Sequence, residues 1–315
     1  MARFLVRRLL AMAFVMIVIS ILTFLLFEAI PNGNPAYRLA GRTATTQEIH
    51  QIEVQYGFNK PIYVQYAKMM ENIFTGKANS IIQGYNVDQQ IRHDLPVTLW
   101  LTFGAGLIWM VSAILIGTIS AVKAGRYADR VLNVLAMIGV SFPPFFLGAI
   151  FLEYLSYNNG IFPSSGYVPI TQSVSGWFMH LFLPWITLAI LYVGFYSRVL
   201  RSNILDTINE DYVRTARAKG LSERRVLVRH VLRNSLIPIV SLFGLDFAAI
   251  IGGGAILVES IFNLPGVGLL TYQAIGRLDI TPIMVVVLLT ALAVVILAAL
   301  VDILYAYLDP RIRLS

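Results

Sequence analysis

Six apolar runs recur along this chain of 315 residues, each close to the ~20 residues that a helix needs to cross a bilayer. They cover residues 9–30, 97–122, 131–154, 178–196, 237–258 and 282–305. A backbone inside hydrocarbon must satisfy all its own polar groups, so runs of this length are read as helices. Composition agrees: 57% of the residues are hydrophobic and only 13% charged, where a soluble domain would carry about 25% charged residues. The expected fold is an all-α integral membrane protein with six transmembrane helices, a cytoplasmic loop at 201–236 and an extracytoplasmic subdomain at 31–95, all in a single domain. A signal peptide is the rival reading of the first run. That run exceeds an h-region of about 7–15 residues, and no small-residue cleavage site follows it.

The basic residues set the orientation. Arg3, Arg7 and Arg8 precede the first run, Lys123, Arg126 and Arg130 follow the second, and Arg311 and Arg313 follow the last. The loop after the fourth run holds Arg198, Arg201, Arg214, Arg217, Lys219, Arg224, Arg225, Arg229 and Arg233. On the other side, 158–177 has no basic residue and 260–281 has only Arg277. The positive-inside rule then puts both termini in the cytoplasm. The net charge of +7 is therefore topological and does not point to nucleic acid.

Breaks punctuate the runs. Ser141-Phe142-Pro143-Pro144 interrupts the third, Pro184 lies in the fourth, and Gly252-Gly253-Gly254 lies in the fifth. Broken backbone at membrane depth is tolerated only against protein or a water-filled cavity. In the outer loop, Ile49, Ile52 and Tyr56 are spaced for a short amphipathic helix that Gly57 and Pro61 would end. The one long polar stretch of the second half, Asn209 to Pro238, reads as two short helices separated by Gly220. Asn209 and Ser222 are the expected N-caps, Leu221 and Val226 a hydrophobic staple, and Gly220 the left-handed closing residue. Such an element between two spans is a docking surface.

Enzyme chemistry has no visible seat. The chain has no cysteine and only scattered histidines, with neither a phosphate loop nor a His-Glu-x-x-His pattern, so neither catalytic nor metal-ligating residues are expected. Asp246 lies near the middle of the fifth run. A carboxylate at that depth is costly and is a functional hypothesis by default. The plainer reading is a protonated or hydrogen-bonded aspartate facing a pore or a partner subunit. Glu28, Glu153, His180 and Asp302 lie near span ends, where each reaches the interface. A secondary, ion-coupled transporter would use Asp246, and a membrane-embedded enzyme would need paired polar groups at one depth, which the sequence does not show.

The wording DYVRTARAKG (211–220) resembles the cytoplasmic loop of ATP-binding-cassette importer permeases, in the dipeptide/oligopeptide branch. Ala216 and Gly220 match the general Glu-Ala-Ala-x-x-x-Gly pattern, and Arg214 and Thr215 stand where it has Glu and Ala. ARFLVRRLL, IPNGNP, YGFNKPIYVQY, LPVTLWL, SFPPFFLG and ESIFNLPGVGLL are similar to further stretches of that family, so the resemblance covers nearly the whole chain. It implies a permease subunit of an importer in a bacterial or archaeal plasma membrane that translocates peptides. The implied partners are a second related permease, two ATPase subunits that hold ATP and Mg, and an extracellular solute-binding protein. No cofactor is expected in this chain. ATPase coupling would fall to Asp211, Arg214, Ala216, Ala218, Gly220 and Leu221. The translocation path would include Asp246, Pro143, Pro144 and Gly253. Asn263, Pro265 and Gly266 would receive the binding protein.

Overall fold

The computed structural model describes residues 2–29, 35–41 and 44–308. Most of IPNGNP (30–35) and both Arg311 and Arg313 lie outside the described residues. In order, the chain forms α1 (Ala2–Phe24) with a π turn (Leu25–Ala29), α2 (Pro35–Ala40), α3 (Thr46–Tyr56), α4 (Ile62–Phe74), α5 (Val87–Val122), α6 (Tyr127–Ser141) and α7 (Pro144–Phe151) with a π turn (Leu152–Tyr157). There follow α8 (Val174–Thr207), α9 (Asp211–Ala218), α10 (Glu223–Arg225), a π turn (Val226–Leu232), α11 (Arg233–Ala249), a π turn (Ile250–Gly254), α12 (Ile256–Ile261), α13 (Val267–Arg277) and α14 (Ile280–Leu308). Among the described residues no strand forms; Asn79 and Asn86 make an isolated bridge.

Among the described residues, five helices are long and apolar enough to cross a membrane, and α6 with α7 makes a sixth candidate bent by 97°. The bend falls at Phe142 and Pro143, both extended, with Pro144 opening α7. Proline at the first helical position suits a new helix and not the continuation of an old one.

Helix ends differ from the sequence reading in three places. α5 starts at Val87, capped by the Asn86 side chain, and Pro96 lies within it. α8 runs to Thr207, well past 196, because nothing between Arg198 and Asp206 stops a helix. At 36 and 34 residues these helices are about 50 Å long, against ~30 Å of hydrocarbon, so both protrude. Finally, Glu223 to Ala249 is one continuous helix of 27 residues. The expected second short helix is the beginning of the fifth span, since Pro238 removes a single hydrogen bond and no glycine separates the two.

The core is the crossing of α5 and α8. Trp109 stacks on Tyr192 at 4.5 Å and meets Phe243 at 4.8 Å. Gly104 lets Trp185 lie where a Cβ would be 2.2 Å from the indole, and Gly194 brings α8 onto Ala136 O, 2.4 Å from a built Cβ. Small residues at such crossings let backbones approach in lipid. The segment between α1 and α5 rests on this bundle. α3 carries a capping box between Thr45 and Glu48 and ends at left-handed Gly57, as expected. α4, which the sequence reading missed, docks on α1 through Tyr66, bonded to Ser20 Oγ at 2.7 Å and packed edge-on to Phe24. Ser80 donates to Asp279 and ties this segment to the turn before α14.

Candidate functional site

The α9–α10 element is built by its backbone. Gly220 adopts φ 78°. Its N–H donates to Arg217 O (2.9 Å), and the Leu221 N–H donates to Ala216 O (3.4 Å), which together close α9 as a Schellman motif. Arg217 reaches across the turn to Glu223 with contacts of 3.0 and 3.3 Å. Asn209 does not cap α9. Glu210 holds that position, and Asn209 still belongs to the turn after α8, donating to Leu205 O. Ser222 occupies the N-cap of α10 without a side-chain bond.

α9 lies against the first turns of the long helix. Val213 and Ala216 are buried with Val226 and Val231, and Leu221 packs against the same cluster. The Tyr212 hydroxyl receives Asn234 Nδ2 at 2.6 Å. Asp211, Arg214, Ala218 and Gly220 are exposed, whereas Ala216 faces inward. The outward face is thus available to a partner, and the inward face fixes α9 to α10–α11.

Two polar clusters hold the bundle at this end. Ser235 donates to Asn203 O (3.2 Å) and Asn203 Nδ2 donates to Ser235 O (3.3 Å), joining α8 to α11. Arg201 makes two bonds of 2.7 Å to the Asp129 carboxylate, which also accepts from Ser120, Asn133 and the Gly125 N–H (2.9 Å). Asp129 is buried and unites α5, α6 and α8. The sequence reading counted Arg201 only as an orientation charge. Its partner lies 72 residues away, a separation at which one sequence carries no pairing signal.

Higher in the bundle, Asp246 accepts from the Tyr196 hydroxyl at 2.6 Å, beside Tyr192 and Trp109. It is hydrogen-bonded, in line with the plainer reading. Seven positions on, the π turn contains Gly253 at φ 142°, a conformation that breaks the helix. Pro143 and Pro144 sit at the separate α6–α7 bend. The structure therefore distributes Asp246, Gly253 and the two prolines over different elements.

On the far side of the Gly253 break, α12 and α13 form a hairpin outside the membrane-spanning helices. Asn263 is exposed with φ 47°, Pro265 is half-buried and Gly266 is buried. Glu259 is fully buried beneath them. Its carboxylate accepts from Thr98 Oγ1 (2.7 Å) and the Leu269 N–H (3.0 Å), and from the Gly268 N–H. Burial pushes the Glu259 carboxyl up to about 7, and these donors offset only part of that effect. The sequence reading quoted this glutamate within ESIFNLPGVGLL but gave it no part. Its position six residues before a Pro-Gly turn and eight before the first residue of a helix was the available signal.

Long apolar helices locked by polar contacts at their ends define a multi-pass helical membrane protein. Its residues 1–102 match the family model of the N-terminal part of binding-protein-dependent transport system membrane components. Residues 113–314 match the binding-protein-dependent transport system inner membrane component itself. The chain belongs to this family of transporter membrane subunits, which are not themselves catalytic. It is 36% identical over 314 residues to a "probable peptide ABC transporter permease protein" of Sinorhizobium fredii, covering 99% of this chain and 100% of that one. It is likewise 36% identical over 315 residues to a glutathione transport system permease protein of Salmonella choleraesuis, covering 99% of both. Among solved structures, a chain of the MetNI methionine ABC transporter in inward-facing conformations shares the fold, with a TM-score of 0.53 at 16% identity over 70% of this chain and 97% of that chain. The resemblance seen in the sequence is thus matched over its full length, and the ion-coupled reading loses to it.

Proposed function

We propose that this chain is one of two related permease subunits of an ATP-binding-cassette importer of peptides. Two separate ATPase subunits carry ATP and Mg below it, and an extracellular solute-binding protein delivers cargo above. The observation that carries the reading is mechanical. The exposed face of α9 is fixed through Val213, Ala216 and Tyr212 to a helix that continues without interruption to Ala249. A push by the ATPases on Asp211, Arg214 and Ala218 would be delivered to the break at Gly253. The relatives named for peptides and glutathione support the cargo class. α6 and α7 together form the third of six spans, both termini are cytoplasmic, and Asn263 and Pro265 face the binding protein.

The topology has a direct check. The sequence contains no cysteine, so Ser165→Cys, at an exposed position, should react with an impermeant thiol reagent in intact cells. Labelling only after permeabilisation would overturn the orientation.

The energy source is tested at Asp246. Asn is nearly isosteric with the acid and keeps an oxygen for the Tyr196 hydroxyl. Asp246→Asn should therefore retain at least about half of labelled-peptide uptake, and a protonophore at clamped ATP should not alter it. An ion-coupled carrier needs that charge to change during its cycle. Loss of uptake together with protonophore sensitivity at constant ATP would replace the ATP-driven reading.

A further inference from the structure

Within the proposed importer, we infer that Glu259 is the positioning residue of the outer docking edge: its buried carboxylate sets the Asn263–Pro265 tip in the shape that the solute-binding protein engages. This rests on the ATP-driven reading above and adds to it the device that presents the tip.

The device is a helix cap supplied from another element. α13 begins at Val267 after Gly266, which has no side chain with which to cap it. The first free N–H groups of a helix need acceptors, and an anion there also meets the positive end of the helix dipole. Val267 N–H donates to Thr98 Oγ1 at 2.9 Å, while Gly268 and Leu269 donate to Glu259. Thr98 in turn donates to Glu259, so one carboxylate and one hydroxyl satisfy all three. None of the ion pairs among the described residues includes Glu259; the charged group acting on it is Asp94, one turn before Thr98 and bonded to Gln90 and His93.

The two glycines belong to the same device. A Cβ on Gly266 would lie 2.3 Å from Glu259 Oε2, and one on Gly268 2.8 Å. Gly266 has φ −113°, which any residue adopts, so its smallness serves the carboxylate and not the backbone. Glu259 also holds the tip through its main chain, as its carbonyl accepts from the Leu264 N–H at 2.9 Å. Phe262, Leu264 and Gly266 are buried, leaving Asn263 and Pro265 as the only outward features of the tip. A folded hairpin could be closed by apolar packing alone. A buried carboxylate with three donors and no cation is a costly alternative, which fits a need for one defined shape.

The test uses the full transporter in lipid nanodiscs, with its ATPase subunits and its purified solute-binding protein. Glu259→Ala and Gly266→Ala should each raise the binding-protein concentration that gives half-maximal stimulation of ATP hydrolysis by about tenfold, the effect of losing one well-placed interface contact. Hydrolysis without binding protein should stay within about twofold of the parent, since α9 is untouched. The double variant should be no worse than either single one, because both remove the same seated carboxylate. Glu259→Gln, which keeps an acceptor oxygen, should recover most of the affinity. An unchanged half-maximal concentration in Gly266→Ala overturns the inference. So do effects that multiply in the double variant, and so does a parallel fall in assembly and unstimulated hydrolysis, which is what a merely structural role predicts. A parent complex that ignores its binding protein overturns the functional reading itself, and the Glu259 role with it.

Discussion

Gly220→Val should cut ATP-driven uptake to about a tenth or less while the chain remains in the membrane. At φ 78° a side chain is strained whatever the space around it, and a Cβ there would meet nothing within 4 Å. The penalty is therefore conformational. The left-handed region costs an ordinary residue about 1–2 kcal/mol, and a β-branched one more. That is too little to unfold the helical bundle but enough for α9, which has eight residues and cannot stand alone at that length. α9 keeps its place only through Val213, Ala216, Tyr212 and the Schellman closure. The Arg217–Glu223 pair adds little, because it is exposed and such pairs contribute about 0–1 kcal/mol. Straining Gly220 thus releases α9 from the long helix and leaves the rest intact. The measurements are peptide uptake, membrane content and recovery of the ATPase subunits on purification. Gly220→Asn should retain most activity, since Asn tolerates this backbone. Normal uptake and normal ATPase recovery in the valine variant would show that the angle at Gly220 does not matter.

Much of this was legible because membrane physics leaves few options. Apolar run length located the spanning helices, Pro143-Pro144 marked the 97° bend, Gly57 ends the short outer-loop helix that the sequence spacing gives, and Gly220 takes the expected left-handed closure. Local signals failed where a helix continued through a residue that often ends one. Pro96, read as preceding the second span, lies inside α5, whereas Pro184 and Pro238, read within their runs, lie inside α8 and α11. Asn209 was misplaced by one residue, which the turn after α8 decides and composition does not. The buried polar clusters were illegible for a different reason. Asp129 with Arg201, Tyr196 with Asp246 and Thr98 with Glu259 are paired across 72, 50 and 161 residues. Such pairs exist only once the helices have packed, and one sequence records neither partner's direction. The sequence reading expected a docking element at α9, but not that Ala216 points away from its exposed face.

The second large effect is expected at one of those clusters. Arg201→Ala should destabilise the chain by about 3 kcal/mol, because it leaves the Asp129 carboxylate buried without its cation. The Asp129 side chain is 5% exposed and that of Arg201 27%, which places the loss at the lower end of the range for a broken buried pair. Ser120, Asn133 and Gly125 continue to donate, yet neutral donors do not replace a bidentate guanidinium. The damage should spread. Asp129 ties the α5–α6 turn to α8, and two residues past Arg201 on α8, Asn203 is bonded to Ser235 at the base of α11. Loosening α8 there would blunt the path from α9 to the fifth span even in molecules that stay folded. Arg201→Lys keeps the charge but loses the paired geometry, so it should fall between Ala and the parent. Thermal inactivation of the purified subunit reads the stability, and a double-mutant cycle with Asp129→Asn isolates the pair. Once Asp129 is neutral, removing Arg201 should cost at least about 1.5 kcal/mol less than in the parent background. Equal costs in both backgrounds would mean that Arg201 contributes packing alone, and the cluster would then be no anchor for this end of the bundle.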